Sequence, residues 1–168
     1  LVRKGNEGLL SGHPFLNEVL IWDKKKNKNK NLFALLKNIR KNKYDVVVNL
    51  QRFASTGLLT AFSGSVQRIG FYKNPFSFLF TKKIKHDLSN SKHEVERNNE
   101  LIAHLTNADV SKPRLYPTEK NYYEIKRFEG KTYITISPAS VWFTKQYPAD
   151  KWIDLIDNLP GEFNIYLL

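Results

Sequence analysis

The sequence predicts an α/β protein of the doubly wound, parallel-sheet type. Short apolar runs alternate with stretches of helical periodicity, the pattern of strand–helix repeats. The run Tyr44–Leu50, YDVVVNL, sets three valines in a row, a composition suited to a strand buried on both faces. Loops of small, hydroxylated or amide-bearing residues follow the apolar runs, at the sheet end where such folds bind ligands.

In chain order, Val19–Trp22 is a short apolar strand. The Lys/Asn stretch at Lys24–Asn31 reads as a mobile loop. Asn31 is placed to cap a helix whose Leu32, Leu35, Leu36 and Ile39 recur at i, i+3, i+4 and i+7. The valine strand Tyr44–Leu50 follows. Leu58–Phe62 is expected to be helical, Ser65–Phe71 a further strand, and His93–Leu105 a helix with Val95, Leu101, Ile102 and Leu105 on its inner face. Residues 107–113 have loop composition, and Arg114–Tyr116 is expected as an edge strand. Thr118 opens a helix with Glu119 in its first turn, where the helix dipole favours an acid. After Gly130 the order is strand, loop, helix and a last strand at Asn164–Leu168. No internal repeat is present at any period tested.

Composition narrows the chemistry. The 168 residues are 41% hydrophobic and 13% aromatic, enough for a packed core. With no cysteine, disulfides and thiolate metal sites are excluded, and four scattered histidines give no ligand spacing, so no metal is expected. Absence of cysteine fits a reducing compartment. No apolar run approaches the ~18 residues of a membrane span, and a soluble chain is expected. A leucine at position 1 and a strand-like ending, EFNIYLL, suggest a piece of something longer.

The net charge of +11 is unevenly spread. Residues 1–50 carry 11 Lys/Arg against 4 Asp/Glu, residues 51–113 carry 9 against 5, and residues 114–168 carry 7 against 7. The excess lies before residue 114, and a basic face of this kind attracts phosphate-bearing partners. That change of balance and the loop composition near residues 107–118 divide the chain into an N-terminal domain, 1–113, and a second, 114–168. Nucleic acid is disfavoured as the partner, because no aromatic RNA-binding signature, zinc spacing or GxxG loop is present.

Two loops after strands stand out. In SPASVWFTKQYPADKW, Ser137, Ser140 and Thr144 lie between a strand and a helix and Lys145 closes the run. Backbone N–H groups, hydroxyls and a lysine in that setting suit an anion, while an ordinary turn with capping hydroxyls fits the same residues. The second loop is QRFASTG at Gln51–Gly57.

Three runs resemble the ADP-heptose:lipopolysaccharide heptosyltransferases, glycosyltransferase family 9. They are Tyr44–Phe71 (YDVVVNLQRFASTGLLTAFSGSVQRIGF), Lys92–Leu105 (KHEVERNNELIAHL, with His93, Glu94 and Arg97) and Ile136–Ile156 (ISPASVWFTKQYPADKWIDLI). In the last, Ser137-Pro138-Ala139-Ser140, Lys145, Tyr147-Pro148 and Trp152 fall on the family pattern. Ala139 replaces the usual glycine, Tyr147 the commoner tryptophan, and Arg52 a residue that is often glycine.

The resemblance implies a GT-B fold: two Rossmann-like doubly wound domains, both incomplete here, with the active site in the cleft between them. It implies an inverting transfer of heptose from an ADP-sugar to the inner core of lipopolysaccharide, with no metal or other cofactor. A related family-9 transferase using another nucleotide sugar is the alternative. Ser137, Ser140, Thr144 and Lys145 are expected to bind the donor diphosphate. Gln51, Arg52 and Ser55 are expected to meet a lipid-linked phosphorylated glycan acceptor, Arg52 with its bidentate fork. The catalytic base and the first strand and helix of the N-terminal domain are expected upstream of Leu1. Arg68 and Asp45 read as structural, and His93 and Arg97 as one exposed helix face. The aromatic and basic run Phe71–Lys85 combines apolar anchors with cations, as segments at a membrane surface do, while ordinary core packing of the aromatics fits the same run; a cytoplasmic protein, peripheral at the inner face of the bacterial inner membrane, is the expectation.

Overall fold

The structure, a computed structural model, describes residues 1–89, 91–107, 111–130 and 132–168. Part of the loop expected at 107–113 therefore lies outside the described residues. The chain forms two compact units, Leu1–Tyr116 and Pro117–Leu168.

In the first unit, β1 (Val2–Arg3) pairs in parallel with β2 (Ile21–Trp22). A separate parallel sheet runs β3 (Val46–Asn49), β4 (Gln67–Phe71), β5 (Lys82–Ile84) in that order. Helix α1 (Lys28–Asn42) joins the two sheets, and α2 (Ala54–Ala61) crosses from β3 to β4. Parallel neighbours cannot be joined by tight hairpins, so each crossover is long.

The helical stripe read from the sequence is the one that packs. Leu32, Leu35 and Ile39 of α1 are buried with Trp22 and with Leu59 of α2. On the other side of the sheet, Val46, Val48 and Ile84 pack with Ile69, Phe71 and Leu101. Strand alternation sends Val47 to the opposite face, so β3 and β4 are covered on both sides. Ile69 and Leu101 are fully buried, each stabilising by about 1.5–3 kcal/mol.

Several elements differ from expectation. Helix α1 begins at Lys28, and its cap position is Asn27, held at φ 46°, instead of Asn31. Asp23 Oδ1 accepts from the Lys25 and Lys26 amides and Asn31 Nδ2 donates to the Asp23 and Lys26 carbonyls, so half of the supposed loop is a tied turn. Lysine is a good helix former, which lets the helix extend back through Lys28 and Lys30. Helix α2 begins at Ala54, earlier than the apolar run suggests, and β4 begins only at Gln67. The helix expected over His93–Leu105 is regular only in α3 (Glu94–Asn99), with turns beyond it, and Arg114–Tyr116 forms no strand. β1 and β5 were not foreseen.

The second unit is built on one strand–helix–strand repeat. Helix α4 (Glu119–Ile125) is capped by Thr118, as expected. β6 (Tyr133–Ile136) pairs in parallel with β7 (Asn164–Leu167), and α5 (Ala149–Asp157) crosses between them. Tyr166 takes Phe128 and Tyr133 edge-on, at 4.8 and 5.9 Å between centroids.

Gly70 in β4 shows how tightly the first sheet is closed. A Cβ there would lie 2.5 Å from the ring of Phe80, itself buried at 6% exposure and unable to swing away. Gly70→Ala is expected to destabilise the protein by roughly 1–3 kcal/mol, the usual cost of overpacking, with the loss read from denaturant unfolding at unchanged slope.

Candidate functional site

A cleft of about 400 Å³ opens at the carboxyl ends of β3, β4 and β5. Gln51 and Arg52 line it from the loop after β3, Lys73 from the segment after β4, and His86 from the segment after β5. This is where the strand ends of a parallel sheet leave room for a ligand.

Two buried asparagines fix the loop that presents Arg52. The side-chain oxygen of Asn49, the last residue of β3, accepts from the Gln51 amide at 2.9 Å. Asn74, 2% exposed, reaches across from the turn after β4: its Nδ2 donates to the carbonyls of Gln51 at 2.9 Å and Phe53 at 3.2 Å, and its Oδ1 accepts from the Phe76 amide. Gly57 on α2 makes room, since a Cβ there would lie 2.0 Å from Asn74 Oδ1. The loop therefore holds its shape without a ligand.

The far wall carries an ionic cluster. Arg97 Nε donates to Glu94 Oε2 at 2.9 Å, and His86 Nε2 lies 3.2 Å from Glu94 Oε1. Arg97 Nη1 also donates to the Lys92 carbonyl. Phe71 meets the His86 ring edge-on at 4.5 Å. The guanidinium of Arg97, then His86, hold the Glu94 carboxyl below its ordinary 4.5. Asp87 is likewise lowered, first by the Ser89 hydroxyl and amide and further by Lys85 and Lys73. The carboxylate on the cleft wall is thus already matched, while Arg52 has no hydrogen bond or ion pair among the described residues. An oxyanion carrying more than one negative charge is the group this arrangement suits.

The residues expected on the acceptor side do not all lie together. Gln51 and Arg52 line the cleft, whereas Ser55 lies in the first turn of α2 and is not part of its wall. His93 is no free helix-face residue: its Nδ1 accepts from the Val95 amide and caps α3 together with Glu96. Arg68 is structural, donating to the carbonyls of Ser65 and Leu79. Asn74, Lys73 and His86 were missed by the sequence reading. Only "post-strand" position could have flagged them, and β5 itself had not been recognised.

In the second unit, the loop after β6 contains Ser137 and Ser140, then a 3-10 helix at Phe143–Lys145 ahead of α5. Ser140 Oγ accepts from the Trp142 amide at 3.2 Å, and Gln146 Nε2 donates to the Ser140 carbonyl at 2.8 Å, folding the loop back on itself. Ser137, Thr144 and Lys145 are exposed; the Lys145 amide donates to the Trp142 carbonyl at 2.9 Å, while its side-chain ammonium has no ion pair or hydrogen bond among the described residues. Pro148 stands at the cap position of α5 with no side-chain cap, leaving first-turn N–H groups open. Tyr147 packs edge-on against Trp152 at 5.3 Å and braces that entry. Among the described residues no group of three or more His, Asp or Glu is placed to hold a metal, and no helix is long and apolar enough to cross a membrane.

The family model for glycosyltransferase family 9 (heptosyltransferase) matches residues 32–168. The chain belongs to this family. Among solved structures, the E. coli heptosyltransferase WaaC with ADP matches this family-9 chain with a TM-score of 0.54 at 20% identity, over 84% of the chain and 46% of the WaaC chain. At that identity the likeness speaks for the fold: the expected α/β, GT-B class is the one found. The chain spans less than half of the WaaC structure. No curated protein matches it.

The Glu94 cluster gives a signed pH effect. A carboxyl lowered in the folded state contributes stability that is present above its unfolded value near 4.5 and is lost as pH falls through the lower folded value. Stability should therefore drop below pH 4.5, and Glu94→Gln should flatten that part of the curve in a pH series of thermal unfolding; an unaltered acid limb would show the cluster to be silent.

Proposed function

We propose that the full-length protein is an inverting glycosyltransferase that moves a heptose from ADP-heptose to the phosphorylated inner core of lipopolysaccharide. Membership of family 9 supports the reaction class, and the likeness to a heptosyltransferase solved with ADP supports an adenine nucleotide donor. The observation that carries the reading within these residues is Lys145. It closes a hydroxyl-bearing loop at the carboxyl end of β6, shortly before the uncapped N-terminus of α5, with no partner for its charge among the described residues.

The reaction asks two electrostatic tasks of these residues. As the bond to the anomeric carbon breaks, the diphosphate leaves with growing negative charge. Lys145, the hydroxyls of Ser137, Ser140 and Thr144, and the open N–H groups of α5 are suited to receive it. The acceptor must be held with its own phosphate neutralised, and Arg52 with Gln51 in the first-unit cleft is the matching pair. The carboxylate that takes the acceptor proton belongs, in this reading, to chain before Leu1.

The same reading places the enzyme at the cytoplasmic face of the inner membrane. Phe71 and Phe80 are core residues, but Phe78 and Tyr72 are exposed at 70% and 65%, with Lys83 Nζ 5.5 Å from the Tyr72 ring centre. An exposed aromatic pair beside lysines suits an anionic lipid surface that presents a lipid-linked acceptor. A family-9 transferase using another nucleotide sugar would use the same diphosphate contacts.

Lys145→Ala in the full-length enzyme is expected to lower kcat by about 10²–10³-fold, roughly 2.7–4 kcal/mol of lost leaving-group stabilisation, with the thermal unfolding temperature unchanged. Wild-type turnover in a folded mutant would dispose of the assignment.

A further inference from the structure

Three consecutive large apolar side chains are left uncovered on the loop between β6 and α5: Val141, Trp142 and Phe143 are 96%, 68% and 87% exposed. Folding alone avoids such a run, which marks a surface that meets something else. The other two tryptophans show the contrast. Trp22 is buried in the first unit's core and its Nε1 donates to the Lys28 carbonyl, while Trp152 has its Nε1 buried and its ring braced edge-on by Tyr147. Trp142 alone of the three is largely bare, and its indole N–H has no acceptor among the described residues.

The backbone beneath the indole is fixed on both sides. The Trp142 amide donates to Ser140 Oγ at 3.2 Å, and the Trp142 carbonyl accepts from the Lys145 amide at 2.9 Å. The next bond of the same turn runs from the Gln146 amide to the Phe143 carbonyl at 3.0 Å, and the Gln146 side chain returns to the Ser140 carbonyl. The exposed ring is therefore carried by a closed 3-10 turn, which sets its place before a ligand arrives. A bond from residue i+3 back to residue i keeps the two Cα atoms within about 7 Å. Trp142 and Lys145 thus spring from one turn: an aromatic face with a free N–H donor, and a cation without a partner.

Resting on the assignment of Lys145 to the donor diphosphate, we propose that Trp142 is the platform for the donor's sugar ring. In an ADP-sugar the sugar is bonded directly to the second phosphate, whereas the adenine is a whole ribose away from the first. With the diphosphate at Lys145, the group next to it along the donor, and so within reach of Trp142, is the sugar. The C–H bonds on one face of such a ring carry partial positive charge and are drawn to the electron-rich face of the indole, while the indole N–H donates to a ring hydroxyl. As the bond to the diphosphate breaks, the anomeric carbon gains positive charge, and the same face attracts it more strongly. The loop would then read both parts of the donor, the anion through Lys145 and the sugar through Trp142.

The test is calorimetric titration of the full-length protein with ADP and with ADP-heptose, in the wild type, Trp142→Ala and Trp142→Phe. Trp142→Ala is expected to weaken ADP-heptose binding by about tenfold and ADP binding by less than about twofold, with Trp142→Phe recovering most of the loss. Because the ring is exposed, both variants are expected to keep the wild-type unfolding temperature. Equal losses for the two ligands would make the indole a nucleotide contact or a prop for the loop, and unchanged affinity for both would make it idle; either result overturns this proposal and leaves the Lys145 assignment standing. Trp142 emission already shielded from acrylamide in the ligand-free protein would also overturn it, since other parts of the chain would then cover the ring. Absence of ADP binding in the wild type would overturn the Lys145 assignment itself, and this inference with it.

Discussion

The side chain of Asn74 is the constraint on which the first unit's site depends. It is buried, it spans 23 residues of sequence to reach the loop after β3, and it satisfies two carbonyls there while anchoring its own turn. Each such bond is worth only about 0.5–1.5 kcal/mol net, but leaving a buried carbonyl unpaired costs about 1–3. The asymmetry fixes the loop. Gly57 follows from it, because α2 can pass the amide only without a Cβ, and so does the placement of Arg52 at the cleft. The backbone that carries Arg52 is therefore set before any ligand arrives, which removes the cost of ordering the loop from binding.

Charge is handled by the same economy. Among the described residues the carboxylate on the cleft wall is Glu94, and it is shared between Arg97 and His86. In the second unit the opposite arrangement holds: Ser140 and Gln146 use their polar groups to fold the loop, and Lys145 is left unpaired ahead of an uncapped helix. Both units thus place, after a parallel strand, a cationic side chain with no hydrogen-bond or ion-pair partner among the described residues.

Much of this was legible in the sequence, where periodicity carried it. The Leu32, Leu35 and Ile39 stripe and the valine run of β3 are local signals, and the structure uses both as written. The three family motifs likewise fell on β3 to β4, α3, and β6 to α5. What was missed has no local signature. β5 reads Lys-Lys-Ile, and it is a strand because β4 offers it a ladder; β1 is two residues long and exists by pairing with β2. His93 lies in a His-Glu-x-x-Arg pattern that suggests a functional face, but its ring nitrogen is spent on a helix cap. Asn74 sits in a Lys-Asn-Pro turn of ordinary composition, and its role appears only when the chain brings it to Gln51.

The most direct test of the account is the backbone order of residues 50–53, measured by NMR relaxation in the wild-type protein and in Asn74→Ala. Order parameters near 0.85 in the wild type falling below about 0.6 in the variant, with β3 and β4 unchanged, are predicted. A loop equally rigid without the amide would show that something other than Asn74 shapes the site.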